Sequence, residues 1–392
     1  MIIEEGKGRF IKPEKKGLFY NPRGKLSREL GITILRVEKE LKDDISFFEC
    51  MAGIGFRTIR YYLEANIKNI WANEANEEAI EILKENLKLN GINDIKITNF
   101  EAKKILLENA LNGNRFDFID LDSFGSPSEF IFSVIMALKL EGIVYFTSTD
   151  GFTLCGLRQK ASIRNYGVHS INSKFCHELG ARILISTFMK IAGNLNMHFE
   201  PLVSLFDGYS WRIALRLKRG VENANFDKFG YVLYEPTTKA FKVFKDNHIE
   251  GKGLISGPVY LGEIHQKHYI DKLIEASKEF DDLRKILEKI KNEENIPFFY
   301  DYQEICDVIS ISPPPRKKII KKLKKLGYLA SETHFSPYGI KTNADYDEFV
   351  KVLKTLWIDL KSLTKTILFL FSIRTISPKL WTLYSFWKHL NS

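Results

Sequence analysis

Three groups of residues between positions 47 and 127 have the types and spacing of a nucleotide-binding site. A short apolar strand ends in Glu49 and leads into Gly53-Ile54-Gly55, where the glycines permit a tight turn and close approach of the backbone to a ligand. Glu74 ends the next strand, at a position from which a carboxylate can accept both ribose hydroxyl protons. Asp122 opens an Asp-Ser-Phe-Gly turn after the fourth strand, and we expect the chemistry there.

Each of these signals is weak when taken alone. The glycine turn is not the full dinucleotide fingerprint, because Ile59 stands where the third glycine would fall. The alternative is a structural glycine turn followed by a surface acid. The turn and Glu74 together, at the spacing of a βαβ unit, favour a ligand that contains a nucleoside.

The elements that would position these residues alternate between strands and helices. Amphipathic helices separate five predicted apolar strands, at 46–49, 70–73, 95–99, 116–121 and 143–148. A predicted hairpin then spans 201–217 and turns at Asp207-Gly208. This order predicts an α/β fold with a Rossmann-like, mostly parallel sheet that has one antiparallel edge strand.

The composition limits the number of domains and the class of protein. The 392 residues suffice for two or three domains, and 44% hydrophobic with 27% charged residues is typical of a globular protein. Near residue 220 the sequence becomes more basic, so we predict domains at 1–222 and 223–392. The cysteines form no CxxC pair, and the N-terminus lacks a signal-peptide pattern. A cytoplasmic protein without membrane segments is expected.

A basic segment in the second half predicts a nucleic-acid partner. The net charge of the chain is +9, and no acid interrupts the basic residues between positions 316 and 325. These basic residues are Arg316, Lys317, Lys318, Lys321, Lys322, Lys324 and Lys325. A helix, a Pro-rich turn, this basic helix and an aromatic-containing hairpin suit a winged-helix-type module that follows a nucleic-acid backbone. The alternative is an ordinary solvated helix face.

The first thirty or so positions are basic and turn-rich, and contain Phe19-Tyr20-Asn21-Pro22 and Arg28. The Asn-Pro pair disfavours a helix at Asn21. Two interpretations of this segment stay open. It is either an extension packed on the sheet or a cap over a ligand pocket, in which Arg28 binds a carboxylate.

The glycine turn, the acid after the second strand and the Asp-aromatic turn resemble a class I S-adenosylmethionine-dependent methyltransferase. Nearly the whole chain further resembles the tRNA guanine-N2 dimethyltransferase family, known as Trm1. The matching boxes are Phe19-Tyr20-Asn21-Pro22 with Arg28, Gly53 to Arg57, Asp120 to Pro127, Ser148 to Gly156, His177 to Arg182 and Ser331 to Thr342. Several separated boxes in the right order are specific, whereas any one of them is not.

The resemblance implies transfer of methyl groups from S-adenosylmethionine to N2 of a guanine at the junction of the D stem and the anticodon stem of tRNA. Two transfers would give dimethylguanosine. By matching position, the residues expected to bind the cofactor are Arg28, Gly53, Gly55, Arg57, Glu74, Glu101 and Ala102. Asp122 and Phe124 would handle the target base. The expected partner is tRNA, bound by a monomer.

The implied roles suit the chemistry of a guanine amine. The lone pair on N2 is delocalised into the ring, so an acceptor such as Asp122 would localise it and could also take the released proton. Phe124 offers a face on which an extruded base can stack. No metal is required, because the sulfonium already makes the methyl group electrophilic. The alternative is that Asp122 caps a turn and Phe124 packs in the core.

Two departures from the family pattern bear on activity and on metal binding. Ser123 replaces the proline of the family signature, which would stiffen the turn that aims the carboxylate; we expect activity to survive. Many relatives bind zinc through cysteines, but no cysteine lies between Cys176 and Cys306, so no structural metal is expected.

The alternatives to this function are a tRNA-binding protein that has lost catalysis, and a methyltransferase for DNA or a small molecule.

Overall fold

The computed structural model describes residues 1–11, 20–221 and 226–372, and the side chains of its last helix up to 359 and at 361. Phe19 and the expected domain boundary between 222 and 223 lie outside the described residues. The described helices are α1 (Lys25–Leu41), α2 (Phe56–Glu64), α3 (Glu77–Leu89), α4 (Ala102–Leu111), α5 (Ile131–Ala137), α6 (Gly151–Leu154), α7 (Gln159–Tyr166), α8 (Cys176–Gly193), α9 (Lys267–Ala276), α10 (Asp281–Lys291), α11 (Tyr302–Val308), α12 (Arg316–Lys325) and α13 (Tyr346–Ser372). None of these helices combines the length and the apolar character needed to cross a bilayer.

The strands form one large sheet and three small ones. In chain order they are β1 (Ile2–Glu5), β2 (Gly8–Ile11), β3 (Phe47–Glu49), β4 (Ile70–Asn73), β5 (Lys96–Thr98), β6 (Phe116–Leu121), β7 (Leu138–Ser148), β8 (Met197–Phe206), β9 (Trp211–Arg219), β10 (Phe229–Tyr234), β11 (Phe241–Phe244), β12 (Leu254–Tyr260), β13 (Tyr300–Asp301), β14 (Ala330–Thr333) and β15 (Ser336–Thr342). The large sheet has the order β5-β4-β3-β6-β7-β9-β8.

The large sheet is mostly parallel, which confirms the predicted Rossmann-like α/β fold. The strands β5, β4, β3, β6 and β7 pair in parallel, and β9 runs antiparallel to both of its neighbours. The expected antiparallel strand therefore exists but lies one place inside the edge. This difference arises because the β8–β9 hairpin joins the sheet through its second strand.

The parallel strands are buried on both faces, which explains their near-continuous apolar sequences. Neighbouring residues point to opposite faces, so Phe118 packs with α1 and α9 while Ile119 packs with α4, α5 and α8. The carboxyl ends of the parallel strands meet at one edge of the sheet. The amino end of β9 reaches the same edge, because Arg212 pairs with Thr147 near the end of β7.

The C-terminal half contains an antiparallel sheet, β11-β10-β12, and a winged-helix unit. In that unit α10, β13, α11, α12 and the β14–β15 hairpin follow one another, and the strand order is β13-β15-β14. This succession, with the third strand between the first two, is that of a winged helix. Ile305, Ile319, Leu323 and Ile340 belong to its core. The predicted winged-helix-type module is confirmed.

The two halves of the chain share their larger apolar cores. Val232 and Val259 pack in the same cluster as Ile119 of the central sheet. Ile270 of α9 and Leu283 of α10 pack in the cluster that contains α1. Elements that follow residue 226, including α10 of the winged-helix unit, therefore cover apolar surface of the central sheet, whereas α11, α12, α13 and the β14–β15 hairpin contribute to a separate core.

Candidate active site

A cavity of about 440 Å³ opens at the edge of the sheet where the parallel strands end. Its volume is in the range of small-molecule sites. The walls come from the start of α1, the glycine turn after β3, the turn after β6 and the β8–β9 turn. Among the residues expected at the site, those that line the cavity are Arg28, Gly53, Arg57, Glu74, Asp122 and Phe124.

The glycine turn and Glu74 form one wall of the cavity. Gly53 and Gly55 have φ angles of 55° and 91°, the left-handed region that favours glycine. A Cβ on Gly53 would meet no atom of the described residues within 4 Å, whereas one on Gly55 would lie 2.4 Å from Leu83 of α3. Gly53 thus borders open space, and Gly55 lets the turn pack on α3 without lining the cavity. The carboxylate of Glu74 accepts hydrogen bonds from the backbone N–H groups of Gly53 at 2.7 Å and Asn76 at 2.9 Å.

Arg28 lies at the cavity but is held by an acid. Its Nε and Nη2 each donate to one carboxylate oxygen of Glu5 at 2.6 Å. Burial would raise the pKa of Glu5, but Arg28 and Arg60 outweigh burial and lower it, so the pair is charged at neutral pH. The neighbouring ring of Tyr20 stacks on Phe56 with centroids 4.4 Å apart. The N-terminal segment therefore packs on α2 and also lines the cavity, which combines the two interpretations left open above.

Asp122 lies just beyond the end of β6 and accepts hydrogen bonds from three protein donors. Oδ1 accepts from Nη2 of Arg212 at 2.6 Å and from Oγ1 of Thr147 at 2.8 Å, and Oδ2 accepts from Nε of Arg57 at 2.9 Å. The side chain is 34% exposed, so a ligand in the cavity can reach it. Among the described residues, donors use both lone pairs of Oδ1 and one of Oδ2, which leaves one lone pair of Oδ2 for a ligand.

The charge of Asp122 is fixed by its neighbours. Burial would raise the pKa of this carboxyl, but Arg212 and Arg57 outweigh burial and hold the pKa well below its ordinary value. A carboxylate with so low a pKa stays ionised throughout the neutral range and is a weak base. Asp122 is therefore suited to accepting a hydrogen bond and poorly suited to keeping a proton.

Arg212 and Thr147 complete the site, and the sequence analysis missed both. Thr147 and Arg212 are register partners on β7 and β9, and both donate to Asp122, so the three side chains form one hydrogen-bonded group. One signal was available, because Arg212 interrupts the apolar hairpin strand and a buried charge requires a partner. Nε and Nη1 of Arg212 are buried without a hydrogen-bond partner among the described residues, which fits a site for a polar ligand.

Two carboxyl groups face each other across β3 and β6 beside the cavity. Glu49 and Asp120 are register partners, and both are fully buried. Burial and the neighbouring Asp120 raise the pKa of Glu49 to about 8, so Glu49 is protonated at neutral pH. Burial also raises the pKa of Asp120, but Arg57 at 3.6 Å opposes it and Tyr61 donates a hydrogen bond at 2.6 Å. Arg57 and the hydrogen bond from Tyr61 thus favour the charged form of Asp120, whereas Glu49 has no cation as near among the described residues.

Glu49→Gln is expected to remove a pH dependence of folding stability. The folded pKa of about 8 lies above that of an unfolded glutamate, so the stabilisation by this proton is complete below the unfolded pKa and is lost as pH rises through about 8. Glutamine keeps the shape of the neutral acid. At pH 9 the variant should therefore be more stable than the wild type by about 1–3 kcal/mol. Denaturant unfolding at pH 5 and pH 9 measures this, and identical pH dependence of both proteins would contradict it.

Phe124 lies at the mouth of the cavity, and its side chain is 82% exposed. This exposure excludes the alternative of a core aromatic. The turn that carries it is held by a hydrogen bond from the Gly125 N–H to Oγ1 of Thr149 at 2.7 Å. Ser123 is buried, and its hydroxyl donates to the carbonyl oxygen of Thr147 at 3.3 Å. Serine thus packs within the turn at the position where the family signature has proline.

Glu101 and Ala102 lie near the cavity but do not line it. The carboxylate of Glu101 caps α4 by accepting from the backbone N–H groups of Lys103 and Lys104. The preceding loop is tied to the cavity wall, because Nδ2 of Asn99 donates to the carbonyl oxygen of Glu74 at 2.9 Å. Contact of Glu101 and Ala102 with a cofactor stays a prediction.

The basic helix α12 buries Ile319 and Leu323 and exposes most of its charge. The exposed side chains are those of Lys317, Lys318, Lys321, Lys324 and Lys325, and Lys322 is half-buried. Arg316 differs, because it forms an ion pair with Glu332 of β14 at 2.8 Å and fastens the helix to the hairpin. Binding of RNA by the lysines stays a prediction.

Two of the sequence boxes meet between the central sheet and the winged helix. Glu178 of α8 forms ion pairs with Arg182 and with Lys341 of β15, both at 2.8 Å, and accepts from the backbone N–H of Phe298 at 2.9 Å. These charged side chains are buried. Burial would raise the pKa of Glu178, but Lys341 and Arg182 lower it. The boxes thus join the winged helix to the sheet.

Two groups of side chains have potential metal-ligand atoms within 4.8 Å of one another: Cys155, Cys176 and His177, and His265, Glu293 and His334. In the second group Nδ1 of His334 lies at hydrogen-bond distance, 2.6 Å, from Glu293. The cations Arg182 and Lys341 stand beside this group, which disfavours a further positive ion. The expected absence of a structural metal stays a prediction.

Most of the chain matches a known family. Residues 2–354 match the family model described as N2,N2-dimethylguanosine tRNA methyltransferase. The chain is 32% identical over 377 residues to the tRNA (guanine(26)-N(2))-dimethyltransferase of Pyrococcus abyssi, which covers 90% of this chain and 98% of the relative. The protein of the same name from Methanocaldococcus jannaschii is 31% identical over 373 residues, or 90% of this chain and 98% of that relative. The solved structure of Trm1 from Pyrococcus horikoshii with S-adenosyl-L-methionine matches with a TM-score of 0.83 and 29% identity, and covers 90% of this chain and 99% of that chain.

Proposed function

This chain belongs to the N2,N2-dimethylguanosine tRNA methyltransferase family, and from that membership we propose that it transfers methyl groups from S-adenosylmethionine to N2 of guanine 26 in tRNA. This guanine lies at the junction of the D stem and the anticodon stem. One observation carries the proposal for the site. At the edge of a class I methyltransferase sheet, Asp122 keeps a single lone pair open beside the exposed ring of Phe124.

The cavity has the donors and acceptors that S-adenosylmethionine needs. Each carboxylate oxygen of Glu74 accepts one backbone N–H and keeps a lone pair for a ribose hydroxyl. The open space at Gly53 admits a ligand against the backbone, and Arg28 and Arg57 supply cations for the carboxylate of the methionine part. When bound, S-adenosylmethionine supplies an electrophilic methyl group on a sulfonium sulfur.

Asp122 would position the guanine amine through the open lone pair of Oδ2. Accepting one N2–H localises the nitrogen lone pair, which then attacks the methyl carbon as the carbon–sulfur bond breaks. N2 becomes cationic and releases a proton, and the depressed pKa of Asp122 favours transfer of that proton to water. After the first transfer N2 keeps one N–H, so the same acceptor can serve the second.

Phe124 would hold the base once it has left its stack. Extruding a base from a stem junction costs a few kcal/mol, which contacts in the pocket must offset. Stacking of a base on an aromatic ring contributes about 1–3 kcal/mol. The exposed position of the ring at the cavity mouth suits this role.

Glu74→Gln is expected to weaken cofactor binding while leaving tRNA binding unchanged. Glutamine offers a single acceptor oxygen and turns a donor toward one partner, so a ribose hydroxyl or the Gly53 N–H loses its bond. We expect the Kd for S-adenosylmethionine to rise about 10- to 30-fold. Isothermal titration with the cofactor measures this change. Glu77→Gln, in the first turn of α3, is the matched control, and equal affinities for both variants would contradict the assignment of Glu74.

Incubation with labelled S-adenosylmethionine and a tRNA transcript tests the function. Mass spectrometry of the nucleosides should find dimethylguanosine, and a transcript with adenine at position 26 should stay unlabelled. Tight binding of tRNA without transfer would support the alternative of a catalytically impaired binding protein. The buried hydrogen bond of Ser123 indicates that the turn is intact, which favours an active enzyme over an impaired binding protein.

We further propose that the protein acts as a cytoplasmic monomer without a structural metal. A single chain supplies both the cofactor cavity and the basic helix α12, which supports a monomer. The proposed tRNA substrate supports a cytoplasmic location. Sedimentation analysis and metal analysis of the purified protein test the monomer and the metal.

A further inference from the structure

A second basic surface lies beside the mouth of the cavity. After β7 the chain forms α6 and α7, and this part, residues 151–174, is called here the flank segment. It is joined to the turn that carries Phe124, because Thr149 and Gly125 exchange hydrogen bonds at 2.7 and 3.0 Å. Tyr166 of α7 then donates to Asp150 at 3.1 Å, which folds the segment back toward the cavity.

The charge of the flank segment has one sign. No acid occurs between Asp150 and Glu178, whereas Arg158, Lys160, Arg164 and Lys174 are basic. All four basic side chains are exposed. Within the part of the chain that the structure describes, Arg158, Lys160 and Arg164 form no ion pair with an acid, whereas Lys174 interacts electrostatically with Glu304. The flank segment thus resembles α12 in its exposed basic side chains, but it lies beside the mouth of the cavity.

The same segment exposes apolar side chains among these cations. The exposed fractions are 62% for Phe152, 58% for Leu157 and 43% for Ile163. The guanidinium of Arg158 lies 5.2 Å from the centre of the Phe152 ring. Exposed apolar patches with charged rims mark interaction sites. Proteins bind unstacked bases by stacking them on exposed aromatic rings, and neighbouring arginines contact the phosphates.

We propose that the flank segment binds the tRNA strand next to the extruded guanine, with Phe152 stacking on a neighbouring base and Arg158, Lys160 and Arg164 contacting phosphates. This inference rests on the proposed function and names the surface that holds the substrate at the reaction site. Charge complementarity selects RNA over a protein partner, because a surface of cations without acids fits a polyanion. The position beside Phe124 places that contact within reach of the guanine.

The test replaces the charges and the ring separately. In the charge variant Arg158, Lys160 and Arg164 become Gln, and its control carries Gln at Lys272, Lys278 and Lys285, exposed residues of α9 and α10 and the turn between them. The charge variant should raise the KM for a tRNA transcript 10- to 100-fold and lower the salt slope of tRNA binding by about 2 to 3. The control should change neither quantity by more than about twofold, since it removes the same net charge elsewhere. The Kd for S-adenosylmethionine should stay unchanged in both.

The ring is tested with Phe152→Ala, Phe152→Tyr and Phe152→Leu. Alanine and leucine should lower kcat/KM for tRNA roughly 10-fold, while tyrosine should keep it, because stacking needs an aromatic face. Phe132→Ala removes another half-exposed ring, on α5, and should have no effect. Thermal melting checks that every variant folds; if the alanine variant does not, the comparison of leucine with tyrosine decides.

The outcomes separate this inference from the proposed function. If the wild type dimethylates guanine 26 but the flank variants behave like their controls, the flank surface is not an RNA contact and the function stands. If the wild type transfers no methyl group, the proposed function fails first, and binding of unmodified tRNA to the same variants still tests the surface. Loss of self-association in the flank variants, with tRNA affinity intact, would assign the surface to a second copy and overturn the proposal.

Discussion

Asp122→Asn is expected to lower kcat for methyl transfer about 100- to 1,000-fold. Asparagine has one acceptor oxygen, whereas one oxygen of Asp122 accepts from Arg212 and Thr147 and the other accepts from Arg57 and, in the proposed mechanism, from the substrate amine. The orientation that keeps the bonds from Arg212 and Thr147 to the amide oxygen turns the NH₂ group toward Arg57 and the substrate amine, which both donate. The amine then has no acceptor, while contacts of the cofactor with Gly53 and Glu74 remain. The Kd for S-adenosylmethionine should change by less than about threefold.

Single-turnover kinetics with saturating tRNA and cofactor measures this loss. Asp117→Asn is the matched control, because Asp117 is the second residue of the same strand and is also ion-paired, to Lys42 and Lys139. Its pKa is lowered to about 2, so its contribution to stability is present above the unfolded pKa and lost as pH falls through about 2. The control should lose stability and keep kcat. Transfer at the wild-type rate by Asp122→Asn would remove this carboxylate from the mechanism.

Removing four charges from α12 is expected to weaken tRNA binding about 100- to 1,000-fold near physiological salt. The variant carries Gln at Lys317, Lys318, Lys321 and Lys325, which are all exposed. The helix should still fold, because Ile319 and Leu323 keep their buried contacts. Each lost phosphate contact also lowers the salt slope of binding by about 0.9, so the slope should fall by about 3 to 4.

Filter binding across a salt series measures both quantities. The matched control replaces the same four lysines by arginine, which keeps the charge and should keep the slope. Unchanged affinity and slope in the glutamine variant would show that the tRNA lies elsewhere. Deleting the chain from about residue 230 onward would be a poorer test of the same surface. Val232 and Ile270 belong to the cores of the central sheet, so the deletion would expose apolar surface there.

The part of the site that sequence predicted is the part built from consecutive strand ends. Glycines after β3 and the acid after β4 follow from local turn chemistry, and a parallel sheet brings their strand ends to one edge. Asp122 was found for the same reason, at the end of β6. Arg212 was not, because its place depends on β9 inserting antiparallel beside β7, a long-range pairing that periodicity does not specify.

Burial and partner choice were also beyond the sequence. Glu49 lies beside Asp120 only because β3 and β6 are neighbouring strands. The neutral state of Glu49 follows from burial and from that contact. Arg28 was expected to bind a ligand carboxylate, and the described structure adds that it binds Glu5. The strand and helix order was predictable from apolar periodicity, whereas the sharing of cores between the two halves depends on tertiary packing.

The buried ion pair between Glu178 and Lys341 anchors the winged-helix unit to α8 and thereby to the central sheet. If α12 and Asp122 both contact the tRNA as proposed, these buried ionic contacts would keep the two contact sites at a constant separation. An enzyme of this kind would choose its nucleotide by distance along the folded tRNA. Lengthening the tRNA stem by one base pair would then bring a different nucleotide to the cavity, whatever the sequence of the stem.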